Sequence, residues 1–163
     1  MVAWRAVVHS ELEFAQRVRT IMDAHRHKTM ATLRGDGSPR ISGIEASFIE
    51  GDLWFGSMPG ARKGHDLRRD PRFALHSASV DPPKGHESRW QGDAKLSGRA
   101  VQVTDPDELA VMLHALGAPP DQSSDLFRAD IDEVVVTRVG DPPDHLVIEL
   151  WRPDQPLHRI ERH

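Results

Sequence analysis

Between Leu53 and Leu75 the chain reads LWFGSMPGARKGHDLRRDPRFAL, and the centre of this stretch has the residue types of an anion seat. A short apolar strand, Leu53-Trp54-Phe55, breaks at Gly56-Ser57-Met58-Pro59-Gly60. A short basic helix carrying Arg62, Lys63, Arg68 and Arg69 follows, Pro71 stops it, and Arg72 to Leu75 resumes as a strand. The first N–H groups of a helix point at an anion, and the helix dipole favours one. Ser57 adds a hydroxyl, Arg62 a two-pronged guanidinium and Lys63 a second positive charge. The alternative is a solvated cationic helix face, which is the reading for Arg68 and Arg69, about two turns further along.

The rest of the composition narrows the chemistry. With 163 residues the chain reads as one domain, 1–163, large enough to bury a real core. Its 21 basic and 25 acidic residues leave a formal charge of −4, against a nucleic-acid partner, which calls for a clustered basic excess. The ten histidines offer no ligand spacing: His25 and His27 are two apart, His65 and His76 stand alone, and no metal is expected. Without cysteine there is neither a disulfide framework nor a thiol nucleophile. No apolar run has the length of a membrane span, and the start Met1-Val2-Ala3-Trp4-Arg5 lacks a signal peptide's apolar region. These features together lead us to expect a soluble cytoplasmic protein.

The elements that must position the seat follow from pattern. Ser10 and Glu13 form a capping box for a helix with the apolar stripe Leu12, Phe14, Ala15, Val18, Ile21 and Met22. His25, Arg26, His27 and Lys28 fall where cations suit its C-terminus. Strands are expected at Thr29–Arg34, Arg40–Ile49 and Leu53–Phe55, joined by turns at 35–39 and 50–52. In the middle strand Ser42, Ile44, Ala46 and Phe48 share one face and Ile41, Gly43, Glu45 and Ser47 the other. Gly43 marks a bulge or a close approach by a ligand, and the bulge is preferred.

Further on, 72–78 and 93–103 read as strands around a polar loop, 81–92. Asp105, Pro106 and Glu108 start a helix with Leu109, Met112, Leu113 and Leu116 on its buried side, and Gly117 ends it. A linker at 118–124, strands at 131–139 and 145–151, and a short strand at 157–160 complete the chain. About seven strands and three helices predict a mainly β fold with helical decorations, built as a small antiparallel barrel.

Three segments, MATLRGDGSPRIS (Met30–Ser42), LWFGSMPGARK (Leu53–Lys63) and LRRDPRFAL (Leu67–Leu75), resemble the FMN-binding split β-barrel family related to pyridoxamine 5′-phosphate oxidase. The resemblance implies a six-stranded Greek-key barrel that forms a homodimer with two flavin sites at the dimer interface, and an oxidoreductase acting on a small molecule. It implies that the backbone of Arg40, Ile41, Ser42, Gly43, Ile44 and Glu45 runs beneath the flavin ring. It puts Gly56, Ser57, Arg62 and Lys63 at the phosphate, with Trp90 or Gln91 reaching the ring from the partner subunit.

The likeness departs at two places. Glu45 stands where the oxidase has a lysine, and the tail from Arg152 to His163 carries no signature for gripping pyridoxal phosphate, so a vitamin B6 substrate is not expected. The wider family leaves open a deazaflavin in place of FMN, or a non-catalytic flavin- or haem-binding module with His65 or His76 as the iron ligand. No acid, base or nucleophile constellation stands out, as suits chemistry carried by a cofactor.

Overall fold

The computed structural model describes residues 2–117 and 124–163. Two helices open the chain, α1 (Trp4–Ser10) and α2 (Leu12–Asp23). Three strands follow, β1 (His27–Leu33), β2 (Pro39–Ile49) and β3 (Asp52–Ser57), then helix α3 (Arg62–Arg69). Strand β4 (Arg72–His76), β5 (Asp93–Gln102), helix α4 (Pro106–Ala115), β6 (Asp125–Val139), β7 (Leu146–Trp151) and β8 (His158–Arg162) complete it. All strand pairings are antiparallel, in the order β3-β2-β1-β4-β5-β6-β7-β8, and a further pairing of β3 with β6 closes the first six into a barrel. Three hairpin-linked strands with the fourth lying beside the first make a Greek key. The split-barrel expectation is met, with β7 and β8 added to it as a flap.

The barrel closes around Phe55, which packs against Phe73 at 5.2 Å and Phe127 at 5.9 Å between ring centroids. Met30, Leu75, Leu96, Val134 and Val136 are buried with them. Strand β3 is apolar on both faces because both are covered. Leu53 and Phe55 join the main core, while Trp54 packs with Val103, Met112 and Leu126 in a second cluster with α4.

Helix α3 occupies the crossover from β3 to β4, and hydrophobicity alone cannot dock it. Its one large buried apolar side chain is Leu67, about 1.5–3 kcal/mol of burial, and eight residues do not hold a helix in water. The anchor is Asp66, whose side chain is 4% exposed. Its carboxylate accepts from Arg40 Nε at 2.6 Å and Thr32 Oγ1 at 3.0 Å on one oxygen, and from Arg69 Nη2 at 3.2 Å on the other. Arg69 also donates to the Leu33 carbonyl. Strands β1 and β2 are thereby tied to α3 through one buried carboxylate.

Several sequence expectations are corrected. Ser10 does not cap: it ends α1, where its Oγ donates to the Ala6 carbonyl at 3.0 Å and accepts from Trp151 Nε1 at 2.9 Å. Helix α1 itself was missed because it has no side-chain cap, although Trp4 and Val7, three apart, are both buried. Leu12, assigned to the stripe, is exposed. His27 and Lys28 belong to β1 rather than to a helix end, and Lys28 is buried, with Nζ donating to the Arg26 and Ala46 carbonyls. Gly43 pairs regularly with Thr29; the bulge lies in β6, which has one extra residue between Glu133 and Ile131 opposite Ser97 and Gly98, and a side chain on Gly98 would overlap the Asp130 carbonyl. The second helix begins as expected, with Asp105 Oδ1 accepting from the Asp107 and Glu108 N–H groups. The 118–124 linker lies, apart from Ser124, outside the described residues, and β6 starts at Asp125 instead of Ile131. Among the described residues no helix is long and apolar enough to cross a membrane.

The anchor gives a test. Burial raises the Asp66 pKa, but the bonds from Arg40, Thr32 and Arg69 outweigh it and bring the pKa below the ordinary aspartate value. A depressed folded-state pKa means the stabilisation is present above the unfolded value of about 3.9 and is lost as pH falls through the folded value. Asp66→Ala should lower the stability measured by urea unfolding at neutral pH by about 3 kcal/mol, because it strands Arg40 with its charge largely buried. The gap between wild type and variant should narrow below that unfolded value.

Candidate functional site

Strands β2 and β3 pair only from Ala46↔Phe55 to Ile49↔Asp52. From Glu45 back to Pro39, β2 is paired with β1 alone, whereas Gly56 and Ser57 at the end of β3 pair with Leu126 and Asp125 of β6. The two strands part at this point, and a cleft of about 470 Å³ opens between them. Its walls are Gly43, Ile44 and Glu45 of β2, Phe55, Gly56 and Ser57 of β3, and Lys63 of α3, with Arg26 and His27 at the start of β1 and Leu113 and Leu116 of α4.

Lys63 spans the opening. Its Nζ donates to the Gly43 carbonyl at 2.7 Å, taking a place beside β2 that β3 has vacated. Burial lowers its pKa from the ordinary lysine value by disfavouring the charged form. Gly43 presents bare backbone on its open side: a Cβ built there meets no atom within 4 Å. Ile41, 75% exposed, and Glu45 flank it on the same outward face. Arg26 Nε stands 2.9 Å from Glu45 Oε2 and His27 Nε2 3.5 Å from Oε1, so the glutamate charge at the mouth is paired.

Helix α3 starts from Ala61 in extended conformation with no side-chain cap. Its first intrahelical bond runs from His65 N–H to the Ala61 carbonyl, leaving the N–H groups of Arg62, Lys63 and Gly64 without an intrahelical acceptor. Ser57 is buried beside this turn. The side chain of Arg62 is exposed and does not line the cleft wall.

Arg68 and Arg69 are not a solvated face. Arg68 Nη1 lies 2.6 Å from Asp125 Oδ2, and Arg69 belongs to the Asp66 cluster. The same Asp125 oxygen would be 2.8 Å from a Cβ on Gly64, so a carboxylate sits against the opening turn of α3, balanced by Arg68.

The structure thus brings Gly43, Ile44, Glu45, Gly56, Ser57 and Lys63 together. It turns Arg40 away to Asp66, leaves Ile41 on the outward surface and Ser42 half-buried on the opposite face of β2. Trp90 and Gln91 line a separate hollow with Ile21, Ala24 and Val80, so within one chain they do not reach the cleft. His65 Nδ1 is 2.8 Å from Arg68 Nη2 and His76 Nδ1 is 2.7 Å from the Ser77 carbonyl, and neither lines the cleft.

Sequence reasoning missed Arg26, His27, Leu113 and Leu116 as lining residues. Arg26 and His27 were legible only as helix-end cations. The i, i+3 spacing of Leu113 and Leu116 signals an apolar face without saying whether a core or a cleft meets it. The fold also gathers Asp144, His145 and His163, which no local spacing reveals.

The family model described as pyridoxamine 5′-phosphate oxidase matches residues 14–138, more than three-quarters of the sequence and all the strands that form the barrel. The chain belongs to this family. Among curated proteins no sequence matches. Solved structures share the fold. A putative pyridoxamine 5′-phosphate oxidase from Listeria innocua aligns at 15% identity over 77% of this chain and 98% of its own, with a TM-score of 0.59. A haem-binding protein from Mycobacterium smegmatis aligns at 19% identity with a TM-score of 0.56 over 88% of this chain, which spans only 56% of that protein's length. The haem-storage protein HutZ from Vibrio cholerae aligns at 18% identity over 78% of this chain and 94% of its own, with a TM-score of 0.56.

Within this oxidase-family barrel, Gly43 should be dispensable for folding. Its open side leaves room for a larger side chain, and a β-branched residue suits a strand better than glycine. Gly43→Val should therefore leave stability in urea unchanged or raise it by about 0.5–1 kcal/mol. A fall in stability would show that the fold itself needs the bare backbone.

Proposed function

We propose that this chain is an FMN-binding oxidoreductase of the pyridoxamine 5′-phosphate oxidase family, acting in the cytoplasm as a homodimer on a small-molecule substrate. The observation that carries the reading is the parting of β2 and β3, which sets bare backbone at Gly43 opposite the uncapped start of α3. A planar ring needs backbone it can approach closely, and a phosphate needs helix-initial N–H groups and cations. Both lie on one cleft, bridged by Lys63. The volume of about 470 Å³ falls in the range of cofactor pockets.

The residues fit FMN in distinct roles. The backbone from Arg40 to Glu45 would support the ring, while the N–H groups of the first turn of α3, Ser57 and Arg62 would hold the phosphate. Lys63 would fix the spacing between the two. The flavin, when bound, supplies hydride or electron transfer; the chain supplies orientation and electrostatics. A partner subunit would cover the outward face at Ile41 and bring its own Trp90 or Gln91 to the ring. A deazaflavin suits the same cations. Arg26 beside Glu45 means that a substrate anion at the mouth would meet a paired carboxylate rather than a lone one, so the departure at Glu45 discourages pyridoxamine 5′-phosphate less than its charge suggests.

A second reading, haem binding without turnover, is supported by the names of the Mycobacterium and Vibrio proteins. His27, which lines the cleft, is the side chain it would use. The absorption spectrum of the freshly purified protein separates the readings: flavin bands, a single deazaflavin band, or a sharp Soret band. Light scattering of the loaded protein should give a dimer mass.

Ligand titrations test the seat. Arg62→Ala should weaken FMN by about tenfold to a hundredfold and leave riboflavin nearly unchanged, since a charge-assisted bond to phosphate contributes roughly 1.5–3 kcal/mol. Lys63→Ala should weaken both ligands, because it also frees the Gly43 carbonyl. Arg72, paired with Asp70 at 2.6 Å, serves as the control. Equal loss of FMN and riboflavin in Arg62→Ala would put the phosphate elsewhere.

A further inference from the structure

The flap formed by β7 and β8 carries a group of side chains that the cleft does not use. The antiparallel register runs from Leu150↔His158 to Leu146↔Arg162, and one step further places His163 beside His145. The two imidazoles lie 5.1 Å apart between centroids, inclined by 32°. Asp144 Oδ1 is 2.7 Å from His145 Nδ1, and one ligand atom from each of Asp144, His145 and His163 lies within 4.8 Å of the others.

The place is shaped as well as populated. Gly140 lets the His145 ring lie against the backbone, since a methyl group there would overlap the imidazole. The side chain of His145 is only 10% exposed as a result. The turn beneath it is pinned, with Gly140 N–H donating to the His145 carbonyl at 2.8 Å and Asp144 N–H to the Pro142 carbonyl at 2.9 Å. The turn therefore fixes the backbone that carries two of the donors, and the third rides on an edge strand. That strand, β8, is exposed at all five positions and pairs with β7 alone. An edge held only by backbone bonds is where a further fastening counts most.

We propose that Asp144, His145 and His163 form a binding site for a divalent transition-metal ion, Zn²⁺ being the natural occupant, which fastens β8 to the end of β7. Two imidazole nitrogens and one carboxylate oxygen are a donor set that suits Zn²⁺, Co²⁺ and Ni²⁺ rather than Ca²⁺ or Mg²⁺. With bonds of about 2.0–2.2 Å, tetrahedral ligands stand roughly 3.4 Å apart, so the Asp144 Oδ1–His145 Nδ1 pair, now 2.7 Å apart, opens slightly and His163 moves in; exposed Asp144 and His163 make the adjustment. An ion bound by both Asp144 and His145 replaces the proton held between them. Three protein ligands leave the fourth position to water. The site is remote in sequence and role from the flavin cleft and stands whether or not a flavin binds.

Calorimetric titration of the full chain with Zn²⁺, and the visible absorption of the Co²⁺-loaded protein, test the proposal. The expected result is one ion per chain, bound at least about tenfold more weakly by His163→Ala and by His145→Gln. His158→Ala, on the same strand but outside the group, should bind as wild type does. His163 is exposed, so its removal leaves the fold intact, and circular dichroism checks His145→Gln. Hydrogen exchange of 158–162 should slow when Zn²⁺ is added to wild type and not when it is added to His163→Ala. Absence of saturable binding, undiminished binding by His163→Ala, equal loss in His158→Ala, or binding that leaves exchange of β8 unchanged would each overturn it.

Discussion

The Asp66 carboxylate fixes where everything else in the cleft can be. Helix α3 is basic, eight residues long and nearly without apolar side chains, so neither propensity nor the hydrophobic effect holds it over the barrel end. Its docking is electrostatic, through Arg40 on β2, Thr32 on β1 and Arg69 within the helix. A buried carboxylate is expensive unless it is paired and hydrogen-bonded, and three donors, two of them cationic, serve Asp66. Because one of those donors lies on β2, the register between α3 and β2 is set at Arg40. Three residues along the strand, Gly43 then falls within reach of Lys63 Nζ.

Opening a barrel between two strands exposes backbone, which favours re-pairing or association with another strand. Here the opening is held from both sides. On its other edge strand β3 stays paired with β6 through Gly56 and Ser57, and the Gly43 carbonyl of β2 receives Lys63. Helix α4, anchored by Met112 against Trp54 and Leu126, sets Leu113 and Leu116 along the rim. The cleft is thus an interruption in a sheet, whose exposed strand face remains flat because small or outward-facing residues occupy it. The alternation of Ser42, Ile44, Ala46 and Phe48 against Ile41, Gly43, Glu45 and Ser47 made the two faces legible in advance. The parting of the strands was not legible, because it depends on the pairing of β3 with β6, which begins 68 residues after Ser57 and holds the end of β3 after its pairing with β2 stops.

The same division explains the other misreadings. Local signals such as the Asp105 cap or the turns between β1, β2 and β3 act within a few residues and were read correctly. Ser10 carries a capping pattern, but Trp151, 141 residues away, takes its hydroxyl while the helix before it runs on from Trp4. Gly43 and Gly98 are both glycines in strands. The overlap with Asp130 that requires Gly98 is tertiary, and so is the empty space over Gly43. Arg68 looked solvated because Asp125, its counter-ion, lies 57 residues on. The barrel strands and the short basic helix after β3 were legible in order and spacing; the ion pairs that dock that helix were not, because each joins segments far apart in sequence.

That last pair determines what the seat can hold. Asp125 at the first turn of α3 would by itself repel an anion, since a carboxylate there already complements the helix dipole. Arg68 cancels its charge at 2.6 Å and anchors it against β6. What remains facing the solvent-side approach is the partial positive charge of the uncapped turn together with Arg62 and Lys63. Lys63 is constrained by its bond to Gly43, so Arg62 is the cation free to follow an incoming group. On the proposed reading, one fixed and one adaptable cation over backbone N–H groups would suit a tethered phosphate whose other end is held along β2. A free phosphate would find the same charges without the second anchor, and on that reading selectivity for the tethered form would follow from the distance that Asp66 and Lys63 set between the two.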